Sequence, residues 1–328
     1  MKKQMLAVIA SLILSHIVSV QAQKERLNSM GEAAALSQNA QKFSEWSTPV
    51  NLGPVINSMA NDLAASLSRD GRSLYFTSTR SEGFGGEDIW VSRRNSKNDD
   101  WGSPVNLGAT INSFALERLR YLSPDGHLLL FQSNRGGGLG GSDIWASRRK
   151  GVDDDLGWGT PVNLGSVINT SADEIGVDFV LGNEGRRDRI YFASDRPGGP
   201  GSADFYTSEI LSDGSFGPPV NIVELSSPQH DSCLTIRSDG LEIILTSRRS
   251  SPRDQPSSAD LWTSRRVSVD DAWSPPVSLW AVNAEGFQDC CPFLSFNAMT
   301  LIFTSTRPGG FGGQDLYMTT RQRLKGNQ

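Results

Sequence analysis

The sequence predicts an all-β chain, a five-bladed β-propeller closed by its N-terminal strand joining the last blade. Three observations predict it. A tandem unit recurs with its leading aromatics 55, 57, 58 and 57 residues apart, each unit holds four short β-rich segments, and a lone copy of one segment precedes the first unit while its counterpart is missing after the last. Internal repetition at such a period is the signature of an array or propeller and outranks any local motif.

The leading element reads Trp46-Ser-Thr-Pro-Val-Asn-Leu-Gly and returns as Trp101-Gly-Ser-Pro-Val-Asn-Leu-Gly and Trp158-Gly-Thr-Pro-Val-Asn-Leu-Gly. It degrades to Phe216-Gly-Pro-Pro-Val-Asn-Ile and Trp273-Ser-Pro-Pro-Val-Ser-Leu. A loop of the type Ile-Asn-Ser follows, then a strand ending in a tight turn: Ser68 to Gly71, Ser123 to Gly126, Ser238 to Gly240 and, more loosely, Ser295 to Ala298. Asp-Gly suits the backbone of such a hairpin. The second strand is Leu74-Tyr-Phe-Thr-Ser, Leu129-Leu-Phe-Gln-Ser, Ile190-Tyr-Phe-Ala-Ser, Ile243-Ile-Leu-Thr-Ser or Leu301-Ile-Phe-Thr-Ser, and each closes on an arginine. A Gly-rich loop, replaced in the fourth unit by a Ser/Pro-rich segment from Ser250, then leads to a third strand opened by Asp88, Asp143, Asp204, Asp260 or Asp315.

No such sheet can cover both of its faces alone, so the units must stack, and radial stacking explains strands that are apolar on both faces. The lone Pro49-Val-Asn-Leu can supply the strand missing after Asp315-Leu-Tyr-Met-Thr. A linear stack would need atypical capping units, and the sequence has none.

The blades resemble the WD40-like, TolB-type propeller repeat of bacterial secreted and periplasmic proteins, through Ser123-Pro-Asp-Gly, Leu-x-Phe-x-Ser-x-Arg and Asp-Ile-Trp. The resemblance spans Trp46 to about Arg321 and implies a propeller. Longer units, five blades rather than six and the lack of a separate N-terminal domain set the chain apart from TolB, so no partner role is carried over.

Ahead of the blades, Lys2 and Lys3 precede an apolar run from Met5 to Val20, and Val20-Gln21-Ala22 offers small residues for cleavage. Residues 1–22 are expected to be a secretory signal, 23–45 a tether and 46–328 the propeller. A secreted or periplasmic protein with no membrane span after signal cleavage is the expectation. Losing the two lysines takes the net charge from −5 to −7, and without a basic stripe nucleic acid is not an expected partner.

Aligning the units places an acid at the start of each first strand: Asp62, Glu117, Glu174, Asp231 and Asp289. In a propeller that strand is innermost, so the five acids should ring one mouth of the channel, with the arginines Arg80, Arg135, Arg196, Arg249 and Arg307 and the aspartates Asp88, Asp143, Asp204, Asp260 and Asp315 on the same rim. A repeated ion-pair network is one reading. A ligand-binding rim is the other, open if the outer aspartates pair with the arginines and leave the inner acids free for a cation, an amine or sugar hydroxyls.

Asymmetry singles out blades three and four, where Asp173 and His230 stand beside the ring acids and make Glu174, Asp231 and His230 candidate catalytic residues. No cofactor motif occurs, and with only His127 and His230 after the leader a His-rich zinc site is excluded. The Gly-rich loops precede strands rather than helices, which excludes phosphate loops and leaves glycines needing positive φ. Strand parity puts Cys233 and Cys290 in position for a bridge between blades four and five. The expected function is a non-catalytic binding module for a protein, peptide or glycan, the alternative a carboxylate-dependent hydrolase acting on carbohydrate.

Overall fold

The computed structural model describes residues 43–182, 187–250 and 258–324; the expected signal and most of the tether lie outside them. Five four-stranded antiparallel sheets form five blades. The innermost strands are Asp62–Leu67, Glu117–Leu122, Glu174–Val180, Asp231–Ile236 and Asp289–Leu294, and the last packs against the first to complete the ring. The outermost are two-residue strands, Val105–Asn106, Val162–Asn163, Val220–Asn221, Val277–Ser278 and, for blade five, Val50–Asn51.

Closure follows from that last assignment. Val50 pairs with Met318 and Asn51 with Tyr317, and Leu52 N–H donates to Leu316 O at 3.0 Å. The seam begins earlier than Trp46, since Ser44 N–H donates to Gln322 O and Phe43 lies under the Arg321 guanidinium, 3.9 Å from its ring centroid.

The core is five interblade layers rather than one centre. Tyr75 and Ile89 of blade one meet Leu119, Phe131 and Trp145 of blade two, and Ile302 and Leu316 of blade five meet Leu74, Phe76 and Trp90 of blade one. Middle strands such as Leu128–Ser133 are buried along their whole length, which is why they read as continuous apolar runs instead of alternating.

Two repeated devices hold the loops. Arg94, Arg149, Arg266 and Arg321, one residue past the third strand, each donate Nε–H to a hairpin-turn carbonyl at 2.7–2.8 Å and stack on Trp101, Trp158, Trp273 and Trp46 at 4.2–4.6 Å. In four of the five repeats the leading tryptophan is therefore the seat of an arginine that pins the turn, while the fifth has Ile210 and Phe216 at these positions. On the opposite face the Gly-rich loops lie against the next blade. A Cβ at Gly85 would stand 2.1 Å from Ala115 O, and one at Gly312 1.8 Å from Ala60 O. Close approach thus explains these glycines; positive φ, the expected reason, applies to Gly137, Gly198 and Gly309 in the same loops.

Every innermost strand carries a register shift, between Leu63 and Ser66, Leu119 and Tyr121, Glu174 and Gly176, Asp231 and Leu234, and Cys290 and Phe293. These bulges overturn the parity argument for a Cys233–Cys290 bridge. An inserted residue changes which side chains face which way, and it is Cys291, with φ of 52°, whose sulfur faces Cys233.

Among the described residues the ion cluster at Glu242 is not repeated in the other blades. Glu242 of blade four, 1% exposed, receives Arg321 of blade five through both oxygens at 2.9 and 2.6 Å, with Arg265 and Arg237 also in contact. Burial pushes its carboxyl up, but the hydrogen bonds and charge of Arg321, aided by Arg265, outweigh it and hold the group at about 2. A depressed carboxyl adds stability above its ordinary value, and that stability is lost as pH falls through the folded value. Glu242→Gln is expected to cost about 3 kcal/mol at pH 7 and little at pH 2, measured by urea denaturation across that range. Gly85→Ala is expected to cost about 1–3 kcal/mol by the same assay. Gly86→Ala, where a Cβ meets nothing within 4 Å, should stay within about 0.5 kcal/mol.

Candidate functional site

The ladder sets Asp62 opposite Ser78 and Ser78 opposite Asp88, a row of three across the start of blade one. Arg80, two residues beyond Ser78, turns inward. Its Nη2 donates to Asp62 Oδ1 and Ile56 O, both at 2.6 Å, and its Nε to Ser78 Oγ at 2.9 Å. The guanidinium also lies over Phe76 and Trp90. The other blades repeat the pair: Arg135–Glu117 at 2.9 Å, Arg196–Glu174 at 3.0 Å, Arg249–Asp231 at 3.0 Å and Arg307–Asp289 at 2.7 Å.

All five acids are 0% exposed. Their remaining acceptor capacity goes to the preceding loop, through the N–H groups of Ser58, Ser113, Thr170, Ser227 and Ala284. Each acid's own N–H donates to the blade before it, as Glu117 does to Glu87 O at 2.7 Å. Burial pushes the Glu174 and Asp289 carboxyls up despite their arginines.

This arrangement corrects two expectations. Asp62, Glu117, Glu174, Asp231 and Asp289 do not present a rim to a ligand: with both oxygens engaged and no surface, none is open to a cation or a sugar hydroxyl. The outer aspartates are not the arginines' partners. Asp88 accepts from Gly85 N–H at 3.2 Å and Asn106 Nδ2 at 2.9 Å. Asp143 and Asp315 repeat this with Gly140 and Asn163, and with Gly312 and Asn51. Asp204 keeps the contact to Gly201 at 3.1 Å, and Asp260 occupies the same ladder position opposite Ser247. The inner acid wins the arginine because the Ile56 carbonyl beside it gives the guanidinium a second acceptor, while loop amides and an asparagine fill the outer aspartate.

The polar groups open to a ligand lie just outside this sealed ring. In each blade the residue before the ring acid is tied to the one between the strand-ending serine and its arginine. Asn61 N–H donates to Thr79 Oγ1 at 3.0 Å, Leu116 N–H to Asn134 Oδ1 at 2.9 Å, and Gln288 N–H to Thr306 Oγ1 at 2.9 Å. In blade three the acceptor is a carboxylate, Asp195 Oδ1, at 2.6 Å from Asp173 N. In blade four Arg248 N–H donates to His230 O.

Threonine suffices for this tie in blades one and five, so Asp195 brings a charge that the fold does not require. Asp173, half-buried, lies against the preceding Gly-rich loop, where a Cβ at Gly141 would meet its Oδ1 at 2.4 Å. His230 is half-buried beside them. Burial, then the Arg248 charge, lowers its pKa, while Asp231 and Asp195 pull the other way, so the imidazole is neutral at pH 7. Three titratable groups, Asp173, Asp195 and His230, and one fixed cation, Arg248, thus gather on one side of the mouth.

Of the candidate catalytic residues, His230 stays at this surface with Asp173, and Glu174 and Asp231 are sealed beneath it. Sequence reasoning missed Asp195 and Arg248, although the varying residue of the Ser-x-Arg motif (Thr79, Asn134, Asp195, Arg248, Thr306) carried the signal. His127 lies at the opposite face, its Nδ1 2.9 Å from Arg149 O. Among the described residues no group of three or more His, Cys, Asp or Glu side chains is arranged to hold a metal ion.

No protein-family model matches the sequence, and no curated protein is similar to it, so the WD40-like resemblance rests on the blade motifs alone. Among solved structures, the catalytic domain of a GH62 α-L-arabinofuranosidase from Coprinopsis cinerea superposes with a TM-score of 0.54 at 12% identity, over 85% of this chain and 97% of that one. The α-L-arabinofuranosidase of Podospora anserina in complex with cellotriose gives 0.52 at 10% identity, over 86% and 97%. A thermostable family-43 glycoside hydrolase gives 0.53 at 12%, over 85% and 94%. At such identities the likeness is one of fold. It nevertheless corrects the expectation of a non-catalytic binding module so far as that rested on the fold: the solved propellers that share this fold over nearly their whole length are named as α-L-arabinofuranosidases and a glycoside hydrolase.

Proposed function

We propose that the chain is a glycoside hydrolase, with its site at the blade three–four side of the channel mouth. The observation that carries this reading is the substitution of a carboxylate, Asp195, for a hydroxyl in a structural tie that threonine makes elsewhere, next to a second carboxylate, Asp173, and a neutral imidazole, His230. Glycosidic hydrolysis uses two carboxyl groups, one protonating the leaving oxygen and one assisting water or attacking the sugar. Asp173 and Asp195 take these roles, with His230 and Arg248 beside them as polar contacts for the sugar.

The rest of the mouth suits a sugar chain. Phe114 and Met59 are 95% and 94% exposed, with Phe84 and Phe311 also at the surface, all in loops of the face that carries Asp173. The loop of Phe84 abuts that of Phe114, and the loop of Phe311 abuts that of Met59. Such side chains offer apolar faces to sugar rings, while the titratable side supplies polarity. The shared fold supports the same reading, since the similar propellers are named as arabinofuranosidases and glycoside hydrolases. A glycan substrate outside the cell agrees with the secretory leader expected at residues 1–22. Among the described residues no helix is long and apolar enough to cross a membrane.

Incubation with a panel of arabino- and xylo-oligosaccharides, read by released reducing ends, is the test. Wild type should turn over at least one member, and Asp195→Thr and Asp173→Asn should each lower kcat by about 10²–10⁴-fold. Asp195→Thr should leave the melting temperature within about 2 °C, because its hydroxyl keeps the tie. Full activity in Asp195→Thr, or no turnover of any panel member by wild type, contradicts the proposal.

A further inference from the structure

The hydrolytic site leaves one cluster unused. Where the five innermost strands bulge, Ala64, Gly176, Cys233 and Cys291 close the central channel around the Arg120 side chain and leave a cavity of only about 10 Å³. That is room for one water at most, so no ligand can occupy it. The reactive atoms there can meet only one another.

Two of them already do. Cys233 Sγ and Cys291 Sγ, 58 residues apart in sequence, stand 3.2 Å apart as buried thiols, about an ångström beyond a bonded pair. Both backbones are held at bulges, and Cys291 N–H is further fixed to Thr246 Oγ1 at 3.1 Å. Arg120 Nη1 sits 2.8 Å from Cys233 Sγ and 3.8 Å from Cys291 Sγ. Cys290, by contrast, is half-exposed and sits in the ladder opposite Thr304.

We infer that Cys233 and Cys291 form a disulfide that staples the innermost strands of blades four and five across the channel, leaving Cys290 as the single free thiol. The oxidant is a small-molecule disulfide such as oxidised glutathione. One cysteine thiolate attacks it, forming a mixed disulfide and releasing one glutathione thiolate. The second cysteine thiolate then attacks the protein sulfur and releases the other. Two thiol protons are given up, two electrons pass to the oxidant, and one S–S bond replaces another. Contact with Cys291 and burial hold the Cys233 thiol protonated in the closed fold, and although contact with Cys233 pulls the Cys291 thiol down, contact with Cys290 and burial keep it protonated too, so the exchange takes place before the blades close, while the sulfurs are still reachable.

The test refolds the denatured, reduced chain in a mixture of reduced and oxidised glutathione, alkylates it in denaturant without reduction, and maps peptides by mass. Wild type should carry one alkyl group, on Cys290, and a Cys233–Cys291 cross-linked peptide. Cys290→Ser should carry none and Cys291→Ser two. Reducing the wild type should lower the melting temperature by about 5–10 °C, a shift that Cys291→Ser should not show. Three alkylated cysteines in wild type, a statistical mixture of pairings, or a Cys233–Cys290 link in Cys291→Ser would overturn the inference. None of these outcomes bears on whether the mouth hydrolyses a glycan.

Discussion

The propeller depends on a buried carboxylate–arginine pair made five times. Each pair joins the first residue of an innermost strand to the arginine after the middle strand, and the same arginine reaches the carbonyl of the incoming loop, as Arg80 does at Ile56. The acid's own amide is spent on the preceding blade. One residue thereby fixes strand start, loop path and neighbouring sheet together. Removing one partner of such a pair leaves an uncompensated buried charge and costs several kcal/mol, which accounts for an acid and an arginine at these two positions in every blade even where the rest of the repeat has drifted.

That use removes the acids from chemistry. A ring of five carboxylates looks like a cation or sugar site when read along the chain, but neutralised and sealed acids form a girdle on which the mouth is built. The tie just above it is made by threonine in blades one and five, by asparagine in blade two and by the main chain in blade four. Because the fold tolerates this freedom, blade three can put a carboxylate there and blade four a histidine and an arginine without disturbing the girdle. On the proposed reading, function enters at the positions that the repeat does not constrain.

Much of this was legible in the sequence. Blade number and closure followed from the spacing of Trp46, Trp101, Trp158, Phe216 and Trp273 and from the unmatched Pro49-Val-Asn-Leu, because a sheet apolar on both faces has few ways to be covered. The presence of a repeated charge network was legible too, but not its wiring. Asp62 and Asp88 flank Ser78 symmetrically in the ladder, and only the path of the loop at Ile56 and the reach of Asn106 decide which of them takes Arg80. The bulges were not legible, since nothing in Leu63-Ala-Ala-Ser or Asp231-Ser-Cys-Leu marks an inserted residue, and with them went the choice between Cys290 and Cys291. Asp195 is visible as the acidic member of the Ser-x-Arg series, but a position that varies from unit to unit does not read as a signal until the tie it makes is seen.

A crystal structure with a bound arabino- or xylo-oligosaccharide tests the central claim most directly. The account predicts a sugar ring within hydrogen-bond distance of Asp173, Asp195 or His230, over an acid girdle whose five arginines keep their partners. A sugar held by Asp62, Glu117, Glu174, Asp231 or Asp289, with the paired arginine swung away, would contradict it.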